Sequence, residues 1–83
     1  MGLWKEEQNT LNAHFQFENF SAAFSFMAQV ALLAEKMDHH PDWNNCWNKV
    51  EIRLSTHDAG GIVTQKDRDL AEGISAIYDR YKR

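Results

Sequence analysis

The chain has 83 residues, enough for one small domain, and a domain of that size buries only about 60% of the surface its unfolded chain exposes. Twelve acidic residues against nine basic ones leave a formal charge of −3. That excludes nucleic acid as the main direct partner, because phosphate binding needs a basic patch and none appears. Apolar residues at 43% and charged residues at 25% are globular values and exclude a disordered chain. The longest apolar run, Val30 to Ala34, is too short to cross a bilayer. The opening MGLWKEEQ lacks the basic and apolar regions of a secretion signal. The lone Cys46 can form no internal disulfide. The expectation is a soluble cytoplasmic protein with no membrane contact.

In chain order, Trp4 begins a short strand, with the polar segment Lys5 to Asn9 connecting it to the next element. Leu11, Ala13, Phe15 and Phe17 alternate with Asn12, His14, Gln16 and Glu18, the pattern of a strand with one buried face. Ser21 is the expected N-cap of a helix running to about Met37. Its apolar positions cover well over half the circumference, whereas a helix lying on one sheet needs a stripe of only about 100°. The surplus, which includes Phe20 and Phe24, reads as a surface covered by a second subunit, with tolerated surface phenylalanine as the alternative. Trp43 to Trp47 forms a further short strand that turns through Asn48. Val50, Ile52 and Leu54, alternating with Lys49, Glu51 and Arg53, form another. After the Gly60–Gly61 turn, Thr64 caps a last helix, with Asp67 at its third position in a capping-box arrangement. Leu70, Ala71, Ile74, Ile77, Tyr78 and Tyr81 supply that helix's buried stripe. The order predicts a single α+β domain over residues 1–83, an antiparallel sheet of about four strands with helices packed on one face.

Four histidines are many for this length, and three lie at the ends of elements. His39 and His40 follow the first helix immediately before Pro41, which stops the helix and extends His40. His57 follows the strand that ends near Ser55. Rigid elements commonly present catalytic groups on such loops. His14 falls on the polar face of its strand and reads as a solvated side chain. Adjacent residues in extended backbone point apart, so His39 and His40 do not chelate one metal alone. A metal site would need His57, Cys46 or Asp38 as well, and no zinc spacing is present. An imidazole pKa of about 6.5 makes both protonation states available near neutrality. The residues by themselves indicate histidine-based proton transfer on a small organic substrate.

The stretch Ala34-Glu-Lys-Met-Asp-His-His-Pro-Asp-Trp43, with Trp47-Asn-Lys-Val-Glu-Ile-Arg-Leu-Ser-Thr-His57 after it, closely resembles the pterin-4a-carbinolamine dehydratases. Glu35, His39, His40, Pro41, Trp47, His57 and Asp67 occupy the family's pattern in order, with Trp47 in place of the more usual tyrosine. The resemblance runs from Trp4 to about Tyr78. Family members usually begin with an additional helix, which this chain is expected to lack.

The resemblance implies dehydration of a 4a-hydroxytetrahydropterin to the quinonoid dihydropterin, with no cofactor and no metal. It also implies a homodimer or homotetramer. By analogy His39 and His57 move protons and His40 positions the substrate, while backbone groups of Ser55, Thr56 and His57 hold the pterin's amide edge. Trp43 and Trp47 serve either as pocket walls or as core, the second being favoured. Glu35 is either an acceptor orienting an imidazole or an exposed helix-end carboxylate. Asp67 reads first as a helix-start residue favoured by the dipole, and the resemblance adds it to the site. Some relatives act as dimerisation or assembly partners of other proteins, so the alternative role is a non-catalytic protein partner.

Overall fold

Alternating buried and exposed side chains along two strands set the frame of the molecule. The computed structural model describes residues 3–82. The elements in order are β1 (Lys5–Glu7), β2 (Thr10–Gln16), α1 (Phe20–Met37), β3 (Asp42–Cys46), β4 (Lys49–Leu54), a 3-10 turn (His57–Ala59) and α2 (Gln65–Asp79). All strand pairs are antiparallel, in the order β1-β2-β4-β3. Leu11, Ala13 and Phe15 of β2, with Val50, Ile52 and Leu54 of β4, turn inward against Ala23, Phe26, Val30 and Ala34 of α1 and Leu70, Ala71, Ile74 and Ile77 of α2. His14, Gln16 and Lys49 face outward. Both helices therefore cover one face of one sheet, the α+β arrangement expected from the sequence.

Phe26 sits at the centre of an aromatic cluster, its ring centroid 5.0 Å from Phe15, 4.9 Å from Phe17 and 5.9 Å from Tyr78. Trp4 is buried beside Phe15 and donates its indole N–H to Ser75 Oγ at 2.8 Å, which ties the start of the chain to α2. Gly73 lets the two helices approach, because a Cβ there would stand 2.6 Å from a Leu33 methyl.

Three expectations need correction. Strand β1 is the polar segment Lys5–Glu7 itself, not a strand opened by Trp4, and Gln8–Asn9 alone makes the turn. All three β1 residues are exposed on this sheet edge, so they carry no alternation. Helix α1 is capped by Asn19, whose side chain accepts the Ala22 N–H at 2.9 Å, and Ser21 lies within the first turn. Trp47 is not core: it occupies the two-residue β3–β4 turn with φ 53° and is 64% exposed. Its neighbour Asn48 is buried there, donating its side-chain N–H to the Phe17 carbonyl at 2.8 Å.

On α1 the wide apolar arc divides. One side enters the core, and Phe20, Phe24 and Leu32 remain exposed, the two phenylalanine rings stacked 5.9 Å apart. Among the described residues no helix is long and apolar enough to cross a membrane. Truncating Phe26 to Ala is expected to lower unfolding free energy by about 3–5 kcal/mol. Urea denaturation measures this, and a loss below about 1 kcal/mol would contradict the packing described.

Candidate active site

The end of α1 is made by Asp38, a left-handed residue with φ 53° and ψ 42° whose N–H meets the carbonyls of Ala34 and Glu35. The His39 N–H also returns to the Ala34 carbonyl, at 3.0 Å. This reversal satisfies the helix's last carbonyls and directs His39 and His40 away from the helix axis. Pro41 then leads into β3. In the β3–β4 ladder Asp42 pairs with Arg53. The register therefore sets the residues before β3 beside those after β4, and His39–His40 meet Ser55–His57 at one end of the sheet.

There the surface forms a hollow of about 260 Å³ bordered by all three imidazoles and by Ser55 and Thr56. Asp38, Asp58 and Lys66 add charge to its rim. A larger hollow, about 350 Å³, lies on the sheet's outer face around His14, Lys49 and Glu51, and holds none of the three. Among the described residues, no three His, Cys, Asp or Glu side chains are grouped to hold a metal ion.

The three rings are held differently. The His39 side chain is only 11% exposed and its Nε2 lies 2.6 Å from Oδ1 of the fully buried Asp67. The other Asp67 oxygen, Oδ2, accepts from the Thr56 hydroxyl at 2.7 Å and from the Thr64 backbone N–H at 2.8 Å, the latter forming part of the expected capping box. Burial alone pushes the Asp67 carboxyl up, but hydrogen bonds from His39, Thr64 and Thr56 outweigh it and hold the group below the usual carboxylate value. An ionised carboxylate only accepts hydrogen bonds, so the proton lies on His39 Nε2. Nδ1 is left as its free ring nitrogen. His40 Nε2 lies 2.8 Å from Glu35 Oε1, with both side chains largely in solvent. His57 is exposed, and no hydrogen bond from a described side chain holds its ring.

Both readings of Glu35 thus apply, since it is solvent-facing and bonded to an imidazole, namely that of His40. Asp67 is at once the cap of α2 and the partner of His39. Thr56 is buried with its hydroxyl turned to Asp67. Its N–H donates to the Ile62 carbonyl at 2.8 Å, and its carbonyl accepts from Ala59 and Gly61. The Thr56 backbone is therefore engaged in its own loop, and the His57 carbonyl accepts from the Gly60 N–H at 3.0 Å, which leaves Ser55 and the His57 N–H for an incoming edge. Trp47 lies at the opposite end of β3, about 17 Å from the hollow at roughly 3.4 Å per residue. Trp43 is half-buried against the core. Pro41 is not part of the hollow's border and serves as the connection into β3. Asp38 entered the sequence reading only as a possible metal ligand, and Asp58 and Lys66 were not singled out there, although each adjoins a residue that was: His57 and Asp67.

The fold and its cleft define a small α+β domain that presents three imidazoles around one hollow. The pterin 4 alpha carbinolamine dehydratase family model matches residues 2–77, and the chain belongs to that family. A protein of Prochlorococcus marinus named provisionally as such a dehydratase is 55% identical over 74 residues, covering 89% of this chain and 77% of its own. One from Rhizorhabdus wittichii, likewise provisionally named, is 50% identical over 74 residues, covering 89% of this chain and 75% of its own. The crystal structure of a transcriptional coactivator/pterin dehydratase from Brucella melitensis aligns with TM-score 0.87 and 42% identity, over 92% of this chain and 82% of that one. A pterin dehydratase-like protein described as a RuBisCO assembly factor in the alpha-carboxysome shares the fold, at TM-score 0.73 and 22% identity, over 90% of this chain and 86% of that one.

The Asp67 carboxyl is depressed in the folded state, so its stabilisation is complete above the ordinary carboxyl value near 3.8 and is lost as pH falls through the lower folded value. Asp67→Asn should cost about 2 kcal/mol at pH 7, with the gap to the unsubstituted protein closing in strong acid. Urea midpoints for both proteins between pH 2 and about 7 read this out; a gap independent of pH would contradict the ionised hub.

Proposed function

We propose that this chain removes water from a 4a-hydroxytetrahydropterin, yielding quinonoid dihydropterin, without a cofactor. The carrying observation is that imidazoles from two separate segments, His39 and His40 on one and His57 on the other, border one hollow. At about 260 Å³ the hollow lies at the small end of ligand-binding sites.

The reaction breaks the C4a–O bond. One imidazole gives a proton to the departing hydroxyl, which leaves as water. Another takes the proton from N5, whose N–H bonding pair becomes the N5=C4a double bond. His39 and His57 fill these roles. His39 has Nε2–H fixed on Asp67 and works through Nδ1, and the untethered His57 can give or take a proton. His40, steadied by Glu35, orients the substrate. Ser55 and the His57 N–H serve the pterin's amide edge, and Trp47 has no contact with the ring within one chain. His39→Ala and His57→Ala should each lower kcat about 10²–10⁴-fold with unchanged far-UV circular dichroism. Decay of freshly generated carbinolamine, followed by absorbance, checks this. Full activity in both variants would refute the assignment.

The exposed row Phe20, Phe24 and Leu32 favours association as well. It covers itself against a second copy of the chain, in a dimer or tetramer. The alternative is a different protein on the same row, as the coactivator part of the Brucella protein's name would suggest. Replacing Phe24 and Leu32 together by Ser should shift sedimentation toward monomer while helix content is kept. An unchanged oligomer would place the contact elsewhere, and a monomeric parent protein would favour the foreign partner.

A further inference from the structure

Asp67 is packed against the end of α1, the end of β4 and the start of α2, and its two oxygens are used unequally. Oδ1 faces His39 alone, at 2.6 Å. Oδ2 takes both Thr64 N–H and the Thr56 hydroxyl. A carboxylate with one saturated oxygen cannot rotate about its Cβ–Cγ bond without losing those donors. The Thr56 hydroxyl has a single hydrogen, and the acceptor-only carboxylate at 2.7 Å claims it. The Thr64 hydroxyl, 2.5 Å from Thr56 Oγ1, must therefore donate to Thr56. The result is a directed chain, Thr64 to Thr56 to Asp67, with His39 donating to the same carboxylate from the cleft side.

We infer that Thr56 is a positioning residue for proton transfer at His39, its hydroxyl locking the Asp67 carboxylate so that one oxygen pins the ring as its Nε2–H tautomer. Thr56 thereby acts through its neighbours and leaves pterin contacts to Ser55 and His57. This rests on the dehydratase reading for its kinetic consequence, but not for its structural one. The charged or titratable groups around the carboxylate are His39 at the end of α1 and Lys66 on α2, with Asp38, His57 and Asp58 across the shared hollow. Of these, His39 alone lies within salt-bridge distance of Asp67 among the described residues.

Thr56→Val removes the hydroxyl at nearly constant volume, and Thr56→Ser keeps it. The valine variant should lose about tenfold in kcat with KM little changed. Its acid limb should move to higher pH, because Asp67 loses one of the hydrogen bonds that oppose its burial. The serine variant should stay within about twofold of the parent on every measure. Should valine prevent folding, Thr56→Ala replaces it. Imidazole ¹⁵N NMR gives a readout free of turnover: His39 holds one tautomer in the parent and serine proteins and exchanges between two in the valine protein. If the parent protein turns over no carbinolamine, the dehydratase reading fails while the NMR comparison still decides the role of Thr56. A pinned tautomer in the valine protein, or equal kinetic loss in the serine and valine proteins, would overturn the inference.

Discussion

A single buried carboxylate joins the parts of this molecule that would otherwise only touch. Asp67 has no exposure to solvent, and an ion removed from water persists only when its lone pairs are met. Its partners arrive from three places: His39 from the exit of α1, Thr56 from the end of β4, and the Thr64 N–H from the cap of α2. The same contacts that offset burial also bring one imidazole to a fixed orientation. The fold and the proposed chemistry draw on one set of hydrogen bonds, so a change at Asp67 is expected to disturb both.

The surrounding architecture serves that junction. Antiparallel pairing of β3 with β4 returns the chain to the end of the sheet it left, and the left-handed Asp38 turns α1 toward it. Three grades of restraint result: His39 locked in the interior, His40 loosely tied to an exposed carboxylate, and His57 untethered. A proton-transfer pair benefits from this contrast, since one ring needs a defined tautomer and the other needs freedom to exchange. Opposite the core, α1 keeps a greasy row outside, which fits a domain too small to bury all its apolar surface alone. The histidine-lined hollow and the apolar row thus occupy different surfaces of the same helix–sheet unit.

Much of this was readable from the residues. Strict alternation marked β2 and β4, and the apolar periodicity of both helices was unmistakable. Strand β1 was hidden because an edge strand exposed on both faces has no period to detect. Asn19 and Ser21 are both good caps, and only the extended backbone at Asn19 decides between them. The sequence left open which imidazole Glu35 would meet, and the reversal at Asp38 settles it by bringing His40 to Glu35 Oε1. The partnership of Asp67 with His39 spans 28 residues; local pattern exposes the cap and not the tertiary bond. Trp47 looked like core by residue type, whereas the two-residue turn holds it in water.

Selective recognition of a pterin by the three clustered rings is the claim with most at stake, and the chain carries its own control. His14 lies on the sheet's outer face near Glu51, away from the cleft. Titrating the protein with a dihydropterin while recording imidazole NMR signals should shift His39, His40 and His57 saturably and leave His14 in place. Signals that all stay still, or that move equally with His14, would contradict the account.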